Sequence, residues 1–381
     1  MKTRLCLNRS LCLLLCALCC AAVLGGCAGK EKSPAALSGC AVIHEPEFGG
    51  VYITATIDAF NALGYAYGDS VDIRFSNGYT LTDQPYYNGY YTENGQSLLV
   101  AYPGYDYIKA CINNGDDLWD VAGLDEADTA AVTLNTRGKY LDVQNARDIH
   151  YTDAREDYAS DAVFANFRSA AVTGVAPGRL YRSASPCDNQ HNRATYVDAL
   201  IRDAGVRCIL DLADNEEKIA GYLADGSYET PYFRSLFEDG NVLPLALNTN
   251  FTSAAFGQKL AAGLIAMAEH EGPYLVHCTE GKDRTGFVCL LLEALCGAGY
   301  DEIAADYMMT YDNYYGITRQ SDAARYDVIV EHVLDPMVRL LVPDGADLAA
   351  ADLQSGAETY LRGIGMTDAQ IAALASALSE P

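Results

Sequence analysis

The sequence predicts an α/β protein whose mainly parallel sheet is flanked by helices, preceded by a small all-β domain. Three observations carry this reading. From about residue 151 strand-like and helix-like patterns alternate, which implies crossover connections and a helix-covered sheet. Before that point there are only short β-like runs separated by Gly and Asn turns. Half of the 381 residues are apolar, enough for two cores.

In the β-rich segment, taken as residues 42–150, the candidate strands are 51–56, 71–75, 98–102 and 131–134. Eleven of the 27 tyrosines fall between Tyr52 and Tyr107, an enrichment that fits a sugar or aromatic binding groove but more often reflects tyrosines half-buried on sheet faces. The stretch 68–115 is faintly similar to the C-terminal β-domain of hydroxide-dependent adenosyltransferases, without any chemical motif that would carry an activity over.

In the second segment, residues 151–381, candidate strands are 179–182, 206–212, 242–247 and 274–277. Helical periodicity covers 193–204, 255–269, 285–298, 301–312 and 320–334. Thr367 followed by Gln370 is a capping box that starts a last helix.

The N-terminus carries Lys2, Arg4 and Arg9, then an apolar run over 11–24, with no acidic residue before Glu31. That run is shorter than the roughly 20 residues that span a bilayer, so a cleaved signal over 1–26 is expected. Leu24-Gly25-Gly26-Cys27 resembles the lipobox of bacterial lipoproteins, which implies that Cys27 is acylated and that residues 27–41 tether the folded part to the membrane. The expected location is therefore outside the cytoplasm, at the cell surface or in the periplasm. Without its signal the chain has 23 basic against 51 acidic residues, a balance that excludes nucleic acid as a partner.

Five of the 13 cysteines lie in the signal, and Cys27 is the sixth. Cys208, Cys289 and Cys296 sit in apolar runs and read as core residues. In an oxidising compartment Cys40 and Cys111 are candidates to pair. Cys278 stands apart, because it opens the segment His277-Cys278-Thr279-Glu280-Gly281-Lys282-Asp283-Arg284-Thr285-Gly286 between an apolar strand and an apolar helix.

Such a tight loop feeding a helix N-terminus turns its backbone N–H groups inward and makes a cradle for a phosphate dianion. Thr279, Glu280, Gly281, Lys282 and Gly286 supply that cradle. The same field favours the thiolate of Cys278, the reactive form of a nucleophile. Arg284 offers a planar fork to two phosphate oxygens. Thr285 is placed to donate its hydroxyl to the Cys278 sulfur, and His277 to orient the loop from behind. Cys187 and Arg193 have the same spacing, but that copy lacks a glycine and a following hydroxyl residue, and Arg193 reads as the start of a surface helix.

The segment H-C-x-x-G-K-D-R-T-G is similar to the signature of exported bacterial tyrosine phosphatases with dual protein and phosphoinositide activity. Asn166-Phe167-Arg168, Tyr181-Arg182-Ser183-Ala184, Asp211-Leu212 with Glu217, and Asp306-Tyr307 match further family segments, so the likeness spans roughly residues 162–380. It implies a tyrosine phosphatase-like fold, a cysteinyl-phosphate intermediate, and a phosphorylated protein or a phosphoinositide as substrate, with no metal and no cofactor. Two departures matter. Ala213 stands where the family has arginine, and Asn248-Thr249-Asn250 where many tyrosine phosphatases place an acid.

Asp283 is therefore the first candidate for the general acid, with Asp211, Asp214 and Asp239 behind it. Lys282 is a candidate contact for a second phosphate. Every residue named for chemistry lies beyond residue 150, so the β-rich domain is expected to be dispensable for small substrates. The alternatives kept open are an inositol-phosphate phosphatase, a sulfurtransferase or arsenate reductase, and a tethered phosphate-binding module without turnover.

Overall fold

The computed structural model describes residues 33–380. The expected signal and Cys27 lie outside the described residues.

The N-terminal part is a closed barrel of seven strands: β1 (Leu37–His44), β2 (Val51–Ile53), β3 (Ser70–Phe75), β4 (Thr80–Tyr87), β5 (Ser97–Val100), β6 (Ile108–Ile112) and β7 (Thr129–Thr136), closing in the order β1-β2-β6-β5-β4-β3-β7. The expected tether 27–41 thus ends inside β1. Period-2 alternation sends Val71, Ile73 and Phe75 of β3 inward against Val51 and Ile53 of β2, Ala130 and Val132 of β7 and Ile108 and Ala110 of β6. The helix Ile57–Ala62, capped by the Thr56 hydroxyl, buries Phe60 stacked on Tyr65 at 4.1 Å. Cys40 and Cys111, the candidates to pair, are both free. They stand on β1 and β6, which do not neighbour each other in the barrel. Tyr52, Tyr67, Tyr79, Tyr90 and Tyr91 half-bury as expected, whereas Tyr65, Tyr86 and Tyr87 go further and are fully buried among apolar side chains.

The second part is built on a five-stranded sheet in the order β11-β10-β12-β9-β8, from β8 (Arg168–Ser169), β9 (Leu180–Ser183), β10 (Cys208–Asp211), β11 (Val242–Pro244) and β12 (Tyr274–His277). Pairing is parallel among β11, β10, β12 and β9 and antiparallel between β8 and β9. The sheet is therefore mixed: three of its four pairings are parallel and one edge is antiparallel, a departure from the expected pattern confined to β8. The reason is local: β8 and β9 are joined by a short turn segment rather than by a crossover helix. The parallel register aligns Ser183, His277 and Asp211 at the C-terminal ends of three adjacent strands, and the functional loop leaves from there.

Helix Asp283–Leu295 follows that loop and is buried on every side from Thr285 to Leu295. A helix buried all round, with Glu293 its one charge past the first turn, is a core helix. Ala254–Glu269, Tyr300–Tyr315 and Leu353–Gly363 pack around it and the sheet. The last helix, Asp368–Ser379, has the predicted capping box from Thr367 and Gln370.

Candidate active site

The loop from Cys278 to Lys282 is held by its carbonyls. Ser185 donates its backbone N–H to the Thr279 carbonyl at 3.0 Å, and Tyr314 its hydroxyl to that of Glu280 at 2.7 Å. The Gly281 carbonyl accepts from Asn166 Nδ2 at 3.2 Å and from Arg182 Nη2 at 3.1 Å. With the carbonyls tied to the scaffold, the amides of Thr279, Glu280, Gly281 and Lys282 donate to no other group among the described residues. No side chain caps the helix that starts at Asp283, so its first N–H groups are also free for an anion.

Glycine is required at 281. Its φ is +70°, and a Cβ there would lie 2.2 Å from the Ser183 carbonyl oxygen. Gly286 is required for space, since a Cβ would meet the Tyr307 ring at 2.5 Å.

Arg182 is fully buried and pairs with Asp306 at 2.6 Å, while Arg168 reaches the same carboxylate at 2.8 Å. The two guanidiniums hold the Asp306 carboxyl well below the usual carboxylate range despite its burial. These residues tie β8 and β9 to helix Tyr300–Tyr315 behind the loop.

Cys278 lies at the floor of a cavity of about 180 Å³, lined also by Thr279, Glu280, Lys282, Asp283, Arg284 and Thr249. Arg284 is aimed by two bonds, Nη1 to the Leu247 carbonyl at 3.1 Å and Nη2 to the Thr279 hydroxyl at 3.2 Å. Lys282 is 3.1 Å from Glu280, and Tyr151 donates to the other Glu280 oxygen at 2.8 Å, which together hold the Glu280 carboxyl below its usual range. His277 is buried behind the loop, with Nδ1 3.2 Å from the Cys278 carbonyl and Nε2 3.8 Å from Asp211. The bond expected from Thr285 to Cys278 is not formed: the buried Thr285 hydroxyl has no partner among the described residues.

The four acid candidates separate cleanly. Asp211 is buried, accepting from the backbone of Ala213 and Asp214 at 2.9 and 3.1 Å. Asp214 is buried as well, and burial beside Asp211 pushes its carboxyl up to about 6. Asp239 is exposed at the end of helix Pro231–Glu238. Only Asp283 lines the cavity. The donor atoms of Cys187, Asp211 and Asp214 lie within 4.8 Å of one another, a grouping that sequence spacing does not reveal.

Arg193, expected on a surface helix, is 2% exposed. It lies between the rings of Tyr151, Phe164 and Tyr314 and pairs with Asp153 at 2.7 Å, so its role is to hold the Tyr151 and Tyr314 side of the site.

Residues 140–380 match the model of the tyrosine phosphatase family. The chain belongs to that family. This phosphatase is similar to the triple specificity protein phosphatase PtpB of Mycobacterium tuberculosis, 27% identical over 263 residues that cover 54% of this chain and 93% of the relative. It is also similar to a tyrosine-protein phosphatase of Nostoc commune, 35% identical over 114 residues, 27% of this chain and 38% of that protein. Among solved structures, P. aeruginosa TpbA covers 55% of this chain and 98% of its own at 19% identity and a TM-score of 0.23.

One feature of the phosphatase site comes from outside the matched region. Asn94 Nδ2 donates to the Thr249 carbonyl at 3.0 Å, Asn114 Nδ2 to the Thr249 hydroxyl at 3.2 Å, and Asn250 Nδ2 to the Asn114 carbonyl at 3.0 Å. On its other side the same loop is fixed by Phe251, stacked on Phe287 at 4.5 Å. The barrel therefore grips the loop that carries Leu247 and Thr249 over Cys278, although every residue named from the sequence for the chemistry lies beyond it.

Proposed function

We propose that the protein hydrolyses phosphotyrosine and related phosphomonoesters through a cysteinyl-phosphate on Cys278, with Asp283 as general acid. The observation that carries the reading is that Cys278, Arg284 and Asp283 share one cavity whose loop presents free amides. Cys278 sulfur attacks phosphorus, the S–P bond forms as the ester P–O bond breaks, and the Asp283 proton passes to the leaving oxygen. Loop amides and Arg284 hold the three non-bridging oxygens throughout. Water then attacks phosphorus, Asp283 takes its proton, and Cys278 leaves as thiolate; the unpartnered Thr285 hydroxyl is free to donate to that sulfur.

Phosphoinositides are the second reading. Lys282 lines the cavity and PtpB is named for triple specificity, but here the Lys282 charge is already met by Glu280. The test is a substrate panel with the Cys278→Ser protein, which should bind phosphotyrosine yet lose turnover. Turnover near the wild-type rate would remove the nucleophile.

We further propose that the chain is an exported lipoprotein anchored through Cys27, a reading supported by the Leu24-Gly25-Gly26-Cys27 box. Palmitate should label the wild type and not Cys27→Ala.

A further inference from the structure

A second cavity, about 370 Å³, opens beside the first. Asp283 and Thr249 line both. Its far wall is the barrel, through Tyr90, Asn94 and Asn113, and its floor is apolar, from Phe251, Met337 and Leu340. In the proposed reaction the leaving oxygen sits at Asp283, so a leaving group departing past Asp283 enters this cleft.

The cleft holds an unspent cation. Arg147, half-buried at the end of helix Leu141–Arg147, has no carboxylate within 4.0 Å and donates no hydrogen bond; its one described contact is the face of Tyr91 at 5.4 Å. Every other buried or half-buried arginine among the described residues has an acid partner or a hydrogen-bond acceptor. In a chain with 51 acidic and 26 basic residues an unpaired, half-buried arginine is exceptional. Keeping it beside the catalytic loop makes sense if a ligand supplies the anion.

We propose that this cleft binds the polypeptide segment flanking the phosphorylated residue, and that Arg147 pairs with an acidic side chain of that segment. The lining favours a peptide over a polyphosphorylated ring. An apolar floor of Phe251, Met337 and Leu340 and an amide wall of Asn94 and Asn113 suit the side chains and backbone of a peptide, whereas a ring carrying several phosphates would find one unpaired cation, Arg147. The proposal rests on the phosphatase reading, and binding to the Cys278→Ser protein lets the two fail separately.

The experiment compares three phosphotyrosine peptides, with Glu, Ala or Lys beside the phosphotyrosine, on full-length protein, by kcat/KM in the active chain and by affinity in Cys278→Ser. The Glu peptide should exceed the Lys peptide by about fivefold, the scale of a partly exposed ion pair. Arg147→Glu should invert that ratio and Arg147→Lys should keep its direction. A ratio near one in the parent chain, or one that Arg147→Glu leaves unchanged, would overturn the proposal. So would a soluble inositol bisphosphate that outcompetes all three peptides in an Arg147-dependent way. Absence of turnover with the affinity pattern intact would overturn the phosphatase reading instead.

Discussion

Arg182 donates to the Gly281 carbonyl from one nitrogen and to Asp306 from another, so a buried ion pair on the sheet and a helix is mechanically part of the catalytic loop.

Asp306→Ala would leave the guanidiniums of Arg168 and Arg182 buried together without their anion. Breaking a buried pair this way costs about 3–5 kcal/mol. Equilibrium urea unfolding should show a loss of that order. A loss below about 1 kcal/mol would mean that water or another group replaces the carboxylate.

Asp283→Asn should slow substrates with high-pKa leaving groups by about 10²–10⁴-fold. Substrates with activated leaving groups need little proton donation and should suffer far less. Equal losses on both would assign Asp283 a role in loop shape rather than in proton transfer.

Asp214 gives a pH signature of stability. Its carboxyl keeps its proton up to about 6 in the folded chain, against an ordinary value of 3.8. A raised folded value means that its contribution is complete below 3.8 and is lost as pH rises through about 6. Asp214→Asn removes the buried charge, so it should raise stability by about 2–3 kcal/mol at pH 8 and by little at pH 4. Thermal melts at the two values decide it; a gain that does not change with pH would remove the buried-charge explanation.

Asn94→Ala combined with Asn114→Gly, the latter chosen because residue 114 has φ of +46°, should loosen the loop over Cys278. Arg284 loses a fixed Leu247 carbonyl, and misplacement of a positioned group costs up to about 10²-fold in rate. The expected result is a fall in kcat for small and large substrates alike, with melting temperature nearly unchanged. Wild-type kcat would show that Phe251 alone holds the loop.

How much of this was legible in sequence follows from the range of each interaction. The catalytic segment was, because its chemistry is written in ten consecutive residues between a strand and a helix. The strands 274–277 and 179–182 and the long helices were, because period and composition agree over enough residues. Helices Glu216–Ala224, Pro231–Glu238 and Leu353–Gly363 were missed, although Asn215, Pro231 at the first turn and Asp352 were readable start signals. Strands β1, β4 and β6 were missed because their apolar positions are interrupted by Gly39, by Asp83 at φ +60°, and by the buried Lys109, whose ion pair with Glu45 permits it inside. The roles of Asn166, Tyr314 and Arg193 were out of reach. Each acts across more than 25 positions, and nothing local marks the partner.

The thiols distribute unevenly. Burial pushes Cys111, Cys208 and Cys289 up to about 12 and Cys296 to about 11, and raises Cys40 and Cys187 as well. Those six sulfurs stay protonated and unreactive at neutral pH. Among the seven described cysteines only Cys278 lines a cavity, at the loop, and a small electrophile that enters there meets that sulfur. Its uptake counts catalytic centres, so the fraction of correctly assembled molecules in any preparation can be titrated directly.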